Sequence, residues 1–160
     1  GQVHLLGDGP VTDADAASVA ADYATKLAEA PVDIVCAGIG VNGHIAFNDP
    51  PVADFDDALA VKVVELDDVC RQQQVDDDCF PSFEAVPTHA LTLTVPRLMD
   101  SARIFCIVPA AGKAPAVART LAGPIEEACP ASILRRHPNA KLYLDPDSAS
   151  VAVADGTLSA

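Results

Sequence analysis

The stretch that most constrains this chain runs from Ala37 to Pro51 and has the sequence A-G-I-G-V-N-G-H-I-A-F-N-D-P-P. It directly follows a short apolar run, residues 32–36, which is typical of a buried strand. Ligands of open α/β sheets bind beyond the carboxyl ends of the strands. Three glycines, a histidine, two asparagines and an aspartate in that place therefore predict a binding or catalytic site.

Gly38, Gly40 and Gly43 spell a literal G-x-G-x-x-G, the pattern of dinucleotide-binding loops. In such loops the third glycine opens a long helix whose N-terminus faces the pyrophosphate. Here Pro50 and Pro51 follow after little more than one turn, and a residue before proline is displaced from helical dihedrals. We therefore expect no dinucleotide site, and interpret the glycines as positions where backbone N–H groups approach a ligand closely.

His44 lies between two short polar side chains, Asn42 and Asp49. Histidine exchanges a proton near neutral pH, and a carboxylate within reach would fix its tautomer and favour its charged form. The residues alone leave two interpretations open: an acid/base histidine, or a histidine that satisfies loop carbonyls. A metal site on His44 and Asp49 is disfavoured because no further histidine or carboxylate in the segment has ligand spacing, so we expect no metal.

The composition predicts one domain, residues 1–160, since the chain has 160 residues and half of them are hydrophobic. The formal charge of −13 argues against nucleic acids and anionic membranes as partners. Five cysteines without C-x-x-C spacing are typical of reduced thiols in a cytosol. No apolar stretch approaches a membrane span, and the first residues show no signal-peptide pattern. We expect a cytoplasmic protein.

Strand-like runs alternate with helix-like runs along the chain, which predicts an α/β fold with a mainly parallel sheet. The predicted strands are residues 3–6, 32–37, 58–66, 90–95, 103–108 and 140–144, and the predicted helices are residues 12–30, 96–99, 114–121 and 130–136. In the first helix Val19, Tyr23 and Leu27 are expected to form a buried stripe. We expect residues 67–78 to be irregular and residues from Pro146 onward to form a polar tail.

The segment G-I-G-V-N-G-H-I-A-F-N-D-P, residues 38–50, resembles the active-site signature of the glucosamine-6-phosphate deaminase (isomerase) family, whose usual form is G-x-G-x-D-G-H-I-A-F-N-E-P. Three later segments also resemble that family: Cys70-Arg71-Gln72 its phosphate-binding arginine, residues 86–94 its V-P-x-x-A-L-T strand, and Gly112-Lys113-Ala114 its helix-opening lysine. The resemblance covers residues 3 to about 147. The related 6-phosphogluconolactonases share the G-x-D-G-H part.

The resemblance implies a Rossmann-like, three-layer α/β fold of the sugar-phosphate isomerase type, with a mainly parallel sheet flanked by helices and without its N-terminal portion. It implies ring opening of an amino-sugar phosphate, proton transfer between adjacent carbons, and release of ammonia with a ketose phosphate as product. The expected ligand is thus a small sugar phosphate. No cofactor is expected, and a homo-oligomer is one allowed assembly.

The resemblance also implies roles for individual residues. His44 is the expected ring-opening acid/base, Asp49 the carboxylate that orients it, and Asn42 their neighbour in the catalytic loop. Arg71 and Lys113 are expected to bind the phosphate, because arginine can hold phosphate oxygens bidentately while lysine acts as a point charge. The remaining expected substrate-binding residues are Gly38, Gly40, Val41 and Gly43.

The chain departs from the usual family pattern in three places. Asn42 stands where the family has aspartate, and Asp49 where it has glutamate. The family's other phosphate loop and its proton-abstracting aspartate precede a segment like residues 3–6, and this sequence has no such half. Two alternatives therefore stay open: a non-catalytic sugar-phosphate-binding module, and a hydrolase like 6-phosphogluconolactonase.

Overall fold

A computed structural model describes residues 2–6, 11–12 and 14–159. Its helices are α1 (Ala16–Leu27), α2 (Asp68–Asp76), α3 (Val95–Met99), α4 (Ala114–Ala122) and α5 (Pro146–Ala154), with 3-10 turns at Phe83–Ala85, Ala111–Lys113 and Pro130–Arg136. Its strands are β1 (Val32–Ala37), β2 (Val61–Glu65), β3 (His89–Leu93), β4 (Ser101–Val108) and β5 (Ala140–Leu144). Among the described residues, no helix has the length and apolar character needed to cross a membrane.

The strands form a parallel sheet in the order β1-β4-β5 and a separate antiparallel pair, β2-β3. One face of the parallel sheet carries the core, where Ile104, Cys106 and Val108 of β4 are buried together with Val117 of α4 and Leu134 of the last 3-10 turn. The predicted α/β fold with a mainly parallel sheet flanked by helices is thus confirmed.

The opposite face of the parallel sheet is apolar and open. Ile34, Ile107 and Tyr143 are 53%, 52% and 48% exposed, and their strand registers place them on the same side. Tyr143 stacks on Phe105 with ring centroids 6.3 Å apart. The run 32–36, expected to form a buried strand, is therefore buried on one face only among the described residues, because no described element packs over this side.

Two predicted features at the start of the chain also differ. Residues 3–6 form no strand with any described residue. The first helix begins only at Ala16, and it buries Ala16 and Ala20, whereas Val19, Tyr23 and Leu27 are half-buried. The small alanines are the side chains that allow close packing of α1, which lies against β2.

Two helices form where irregular or tail structure was expected. Asp67 caps α2 by accepting the Cys70 N–H at 2.6 Å, and Asp145 makes a capping box with Ser148 at the start of α5. Both helices lack a continuous apolar stripe, so hydrophobic periodicity missed them. Their aspartate caps, followed at α5 by Pro146 in the first turn, are the signals that could have found them.

A long loop, residues 38–60, connects β1 to β2 and contains the glycine-rich segment. No helix forms in it, which agrees with the exclusion of a dinucleotide loop. Asn48 is completely buried, and its Nδ2 donates to the carbonyls of Ile45 and Leu93, each at 2.9 Å. Lys62 of β2 donates to the Val52 carbonyl at 2.7 Å. These bonds fix the loop on the β2-β3 pair.

Candidate active site

The glycine-rich segment folds back on itself immediately after β1. The Gly43 N–H donates to the Gly40 carbonyl and the Gly40 N–H to the His44 carbonyl, both at 2.9 Å. Gly43 has a φ of 93°, which glycine adopts readily and other residues rarely do. The Gly43 carbonyl accepts the Ala131 N–H at 2.8 Å, which ties this turn to the last 3-10 turn.

Gly40 makes room for the His44 side chain. A Cβ atom at this position would lie 2.2 to 2.4 Å from three ring atoms of His44, far inside van der Waals contact. A Cβ at Gly38 would meet only the Ile107 carbonyl oxygen, at an ordinary 3.6 Å. The position of the imidazole therefore requires glycine at residue 40, but it does not require glycine at residue 38.

His44 and Asp49 form a nearly buried pair. The distance from His44 Nδ1 to Asp49 Oδ1 is 2.8 Å, and their side chains are 10% and 0% exposed. Burial alone would raise the pKa of Asp49, but hydrogen bonds from the His44 and Asn42 side chains outweigh it and hold this pKa below its ordinary value. Asp49 is therefore an ionised carboxylate at neutral pH.

Asn42 connects this pair to helix α2. Its Nδ2 donates to Asp49 Oδ1 at 2.9 Å and to Asp67 Oδ2 at 3.1 Å, while its Oδ1 accepts the His44 N–H at 3.0 Å. An amide supplies the hydrogens that two neighbouring carboxylates need, and an aspartate would supply none. In this chain asparagine therefore suits its surroundings, although the family usually has aspartate there.

Cys70 of α2 completes the buried cluster behind His44. Its Sγ, a carboxylate oxygen of Asp49 and a ring nitrogen of His44 all lie within 4.8 Å of one another, the one such trio among the described residues that could hold a metal ion. The distance of 2.8 Å between His44 Nδ1 and Asp49 Oδ1 is a hydrogen-bond distance. We therefore interpret His44 and Asp49 as a pair, with the Cys70 thiol beside them.

The His44 ring lines a cavity of about 640 Å³ at the carboxyl ends of β1 and β4. This volume is within the usual range for small-molecule sites. The lining residues include Gly38, Gly40, His44, Phe47, Gln73, Asp77, Thr92, Ala110 and Lys113. Asn42 and Asp49 lie behind the histidine, and the cavity lining does not include Val41, Gly43 or Arg71.

Lys113 is the one lysine or arginine among the described residues that line this cavity. Burial lowers its pKa, and the nearby Asp77 carboxylate acts in the opposite direction. Asp77 also accepts a hydrogen bond from Gln73 Nε2 at 3.0 Å. The cavity thus offers an anionic ligand one cation, with a carboxylate beside it.

Arg71 points to a different part of the fold. Its Nη2 donates to the carbonyls of Phe83 and Val86 at 3.0 and 3.1 Å, and its guanidinium lies 4.0 Å from the centre of the Phe83 ring. These contacts fasten α2 to the 3-10 turn Phe83–Ala85. The phosphate role of Arg71 stays a prediction, as do direct ligand contacts by Gly40, Val41 and Gly43, whose N–H groups already have partners within the protein.

Unusual backbone conformations gather around the cavity. Ala46, Asp78 and Ala110 are the described non-glycine residues with positive φ, at 48°, 57° and 79°. Ala46 and Ala110 line the cavity, and Asp78 follows the lining residue Asp77. Such conformations cost free energy and are concentrated at functional sites.

The sequence interpretation missed four residues that surround the site: Asp67, Cys70, Gln73 and Asp77. They follow one another at intervals of three, three and four residues, which is the spacing of one helix face. The aspartate cap at Asp67 was the available signal. Because residues 67–78 were expected to be irregular, the sequence did not indicate that these four side chains lie on one side of a helix.

Residues 2–144 match the family model described as glucosamine-6-phosphate isomerases/6-phosphogluconolactonase. Over 147 residues the chain is 38% identical to glucosamine-6-phosphate deaminase of Listeria monocytogenes serotype 4a (strain HCC23), with 92% of this chain and 60% of that relative covered. The chain thus spans about 60% of the length of the curated relative it matches.

Solved structures agree with this match. A monomeric glucosamine-6-phosphate deaminase superposes with a TM-score of 0.79 and 34% identity, covering 88% of this chain and 56% of that one. A 6-phosphogluconolactonase from Trypanosoma brucei superposes with a TM-score of 0.63 and 25% identity, covering 89% and 56%. The family match, the sequence identity and the fold lead to one conclusion: the chain belongs to the glucosamine-6-phosphate isomerase/6-phosphogluconolactonase family.

Proposed function

We propose that this chain forms the sugar-phosphate site of a glucosamine-6-phosphate deaminase, in which His44 catalyses ring opening of the amino sugar. The observation that carries the proposal is the buried, ionised Asp49 at 2.8 Å from His44 Nδ1, next to a cavity that also contains Lys113. A histidine oriented by a carboxylate is a usual acid/base device.

The two ring nitrogens of His44 have separate tasks in this proposal. Nδ1 faces Asp49, so Nε2 is the nitrogen that exchanges a proton with a ligand in the cavity. Nε2 accepts the proton of the anomeric hydroxyl and returns it to the ring oxygen. The bond between the anomeric carbon and the ring oxygen breaks as the open-chain carbonyl forms.

The later steps need groups beyond this pair. Isomerisation moves a proton between adjacent carbons, and departure of ammonia leaves a ketose phosphate. The family resemblance implies that the base for this transfer belongs to a part of the fold that this chain does not match. We therefore propose that the described residues supply ring opening and phosphate binding, and that complete turnover also requires that part.

A lactonase is the enzymatic alternative, because a 6-phosphogluconolactonase superposes over 89% of this chain. The deaminase proposal is favoured by the higher TM-score and identity of the solved deaminase. A sugar-phosphate-binding module without turnover is the third candidate. It is favoured by the Asp77 carboxylate beside Lys113, which weakens the resemblance to a dedicated phosphate site.

The first prediction concerns turnover. The 160-residue chain is expected to gain thermal stability with glucosamine 6-phosphate. A chimera that adds the unmatched part of the Listeria deaminase is expected to release ammonia from this sugar, and His44→Ala in the chimera should lower kcat by about 10²- to 10⁴-fold, the usual contribution of acid/base catalysis. Coupled ammonia detection and thermal shift measure these effects. Stabilisation without ammonia release from the chimera would support the binding module, and hydrolysis of 6-phosphogluconolactone the lactonase.

The second prediction uses the two glycines as a matched pair. Gly40→Ala should displace the His44 ring, because the added methyl group would lie 2.2 Å from it, and kcat of the chimera should fall by about 100-fold or more. Gly38→Ala adds the same methyl group at ordinary contact distance, so kcat should stay within about threefold. Equal losses in the two variants would contradict the proposed division of tasks.

The third prediction distinguishes the contributions of Lys113 and Arg71 to phosphate binding. Lys113→Ala should weaken binding of fructose 6-phosphate at least about tenfold, the effect of one lost hydrogen bond to a charged group. Asp77→Asn should strengthen it about threefold by removing a carboxylate near the anion. Arg71→Ala is expected to lower thermal stability and retain affinity, since its observed partners are the backbone carbonyls of Phe83 and Val86, the Phe83 ring and the Asp68 carboxylate. Calorimetry would instead show an affinity loss if Arg71 binds phosphate.

The fourth prediction concerns the departure at Asn42. Asn42→Asp, although it restores the usual family residue, should destabilise the fold by about 2 kcal/mol at pH 7, because a third carboxylate would replace the amide that donates to both Asp49 and Asp67. Adding Asp67→Asn exchanges donor and acceptor at constant charge and should recover most of the loss. Urea unfolding measures both variants. No recovery in the double variant would show that Asp67 does not limit this position.

A further inference from the structure

One side of helix α2 faces the catalytic loop. We define this side, here called the loop-facing side of α2, by Asp67, Cys70, Gln73 and Asp77. Asp67 accepts from Asn42 Nδ2 at 3.1 Å, and Gln73 Oε1 accepts the Val41 N–H at 3.0 Å. Three successive positions of this side therefore lie against three parts of one loop: Asn42, Asp49 and Val41.

Cys70 is the middle position and has no role in the proposed chemistry. It is completely buried and packs with Val64 and Leu66 in a small apolar cluster. A buried cysteine commonly acts as a small hydrophobic residue. The chain offers a direct comparison, because Cys106 of β4 is equally buried and its pKa is raised to about 12 by burial alone.

The surroundings of Cys70 differ from those of Cys106 in one respect. The Oδ2 atom of Asp49 is buried and, like His44 Nδ1, has no hydrogen-bond partner within the distance and angle limits among the described residues. The Cys70 thiol lies beside that carboxylate, within the 4.8 Å cluster. Burial and the charge of Asp49 raise the pKa of Cys70 to about 12, so the thiol keeps its hydrogen and can donate it.

We propose that Cys70 is a positioning residue whose S–H donates a hydrogen bond to the buried Asp49 carboxylate and thereby holds that carboxylate against His44 Nδ1. The structural part of this proposal stands on the contacts of α2. Its catalytic consequence rests on the proposed function, because only a working His44 needs an oriented carboxylate.

The sign of the expected pH effect follows from the groups around Asp49. His44 faces Asp49 from the same loop, and Cys70 faces it from α2. Asp67 is connected to Asp49 through Asn42. Lys113, at the end of the 3-10 turn before α4, lies near Cys70. The pKa of Asp49 is below 3.8, and the Cys70 thiol contributes to this lowering. The resulting stabilisation is complete above pH 3.8 and is lost as pH falls through the folded value.

The test compares serine and alanine at the two buried thiols. Serine keeps a donor, whereas alanine removes it. At pH 7 we expect Cys70→Ser to have a higher midpoint of urea unfolding than Cys70→Ala. At the apolar site of Cys106 we expect the reverse order, Cys106→Ala more stable than Cys106→Ser, because a hydroxyl would have no partner there. The difference in unfolding midpoint between Cys70→Ser and Cys70→Ala should shrink as pH falls below 3.8. The difference between Cys106→Ser and Cys106→Ala should not change with pH in this way. The same order at both positions would overturn the proposal.

A second readout follows Asp49 directly. The ¹³C carboxyl resonance of Asp49 should titrate at higher pH in Cys70→Ala than in Cys70→Ser, with no change in Cys106→Ala. These titrations need no turnover, so they separate failure of this inference from failure of the proposed function. In the active chimera, kcat of Cys70→Ala should fall about three- to tenfold with KM unchanged, the size of one weak hydrogen bond to a charged group.

Two further outcomes would overturn the inference. An unchanged Asp49 titration in Cys70→Ala would show that the thiol only fills space. A thiolate-to-metal absorption band on addition of Co²⁺ to the wild-type chain, absent in Cys70→Ser, would show that His44, Asp49 and Cys70 bind a metal instead.

Discussion

The buried carboxylate of Asp49 is the constraint on which the site depends. An ionised group without solvent contact is strongly unfavourable unless hydrogen bonds compensate it. Asn42 Nδ2 donates one such bond, and His44 Nδ1 lies 2.8 Å from the same carboxylate oxygen; both residues belong to the turn that Gly40 and Gly43 make possible. The shape of the loop is therefore inseparable from the charge it surrounds, and the orientation of the imidazole follows from the same bonds.

The departures from the usual family signature form a consistent set. Aspartate at position 49 is one methylene shorter than glutamate, yet it reaches His44 Nδ1 at 2.8 Å. Asparagine at position 42 places an amide between Asp49 and Asp67, where a third carboxylate would repel both. The two departures thus keep the histidine and carboxylate pair next to a further acidic group, Asp67.

Much of the fold could be predicted from the sequence because apolar runs mark β1, β4 and β5, and the glycine-rich signature marked the loop after β1. The loop-facing side of α2 could not be predicted by the same reasoning. Its segment is polar, so hydrophobic periodicity does not predict a helix there. Its side chains contact the 38–60 loop only because the helix packs on that loop, which the sequence does not show. Arg71 shows the same limit, since sequence position alone does not distinguish a phosphate contact from a bond to the Phe83 carbonyl.

The open face of the parallel sheet takes no part in the contacts that orient His44. Parallel sheets normally bury both faces, and the exposed Ile34, Ile107 and Tyr143 form an apolar side on β1, β4 and β5. The contacts that orient His44 come from the 38–60 loop and α2, and none of them uses these three side chains. In the proposed mechanism, ring opening would therefore depend on contacts within the described residues, while the later proton transfer would depend on groups that these contacts do not provide.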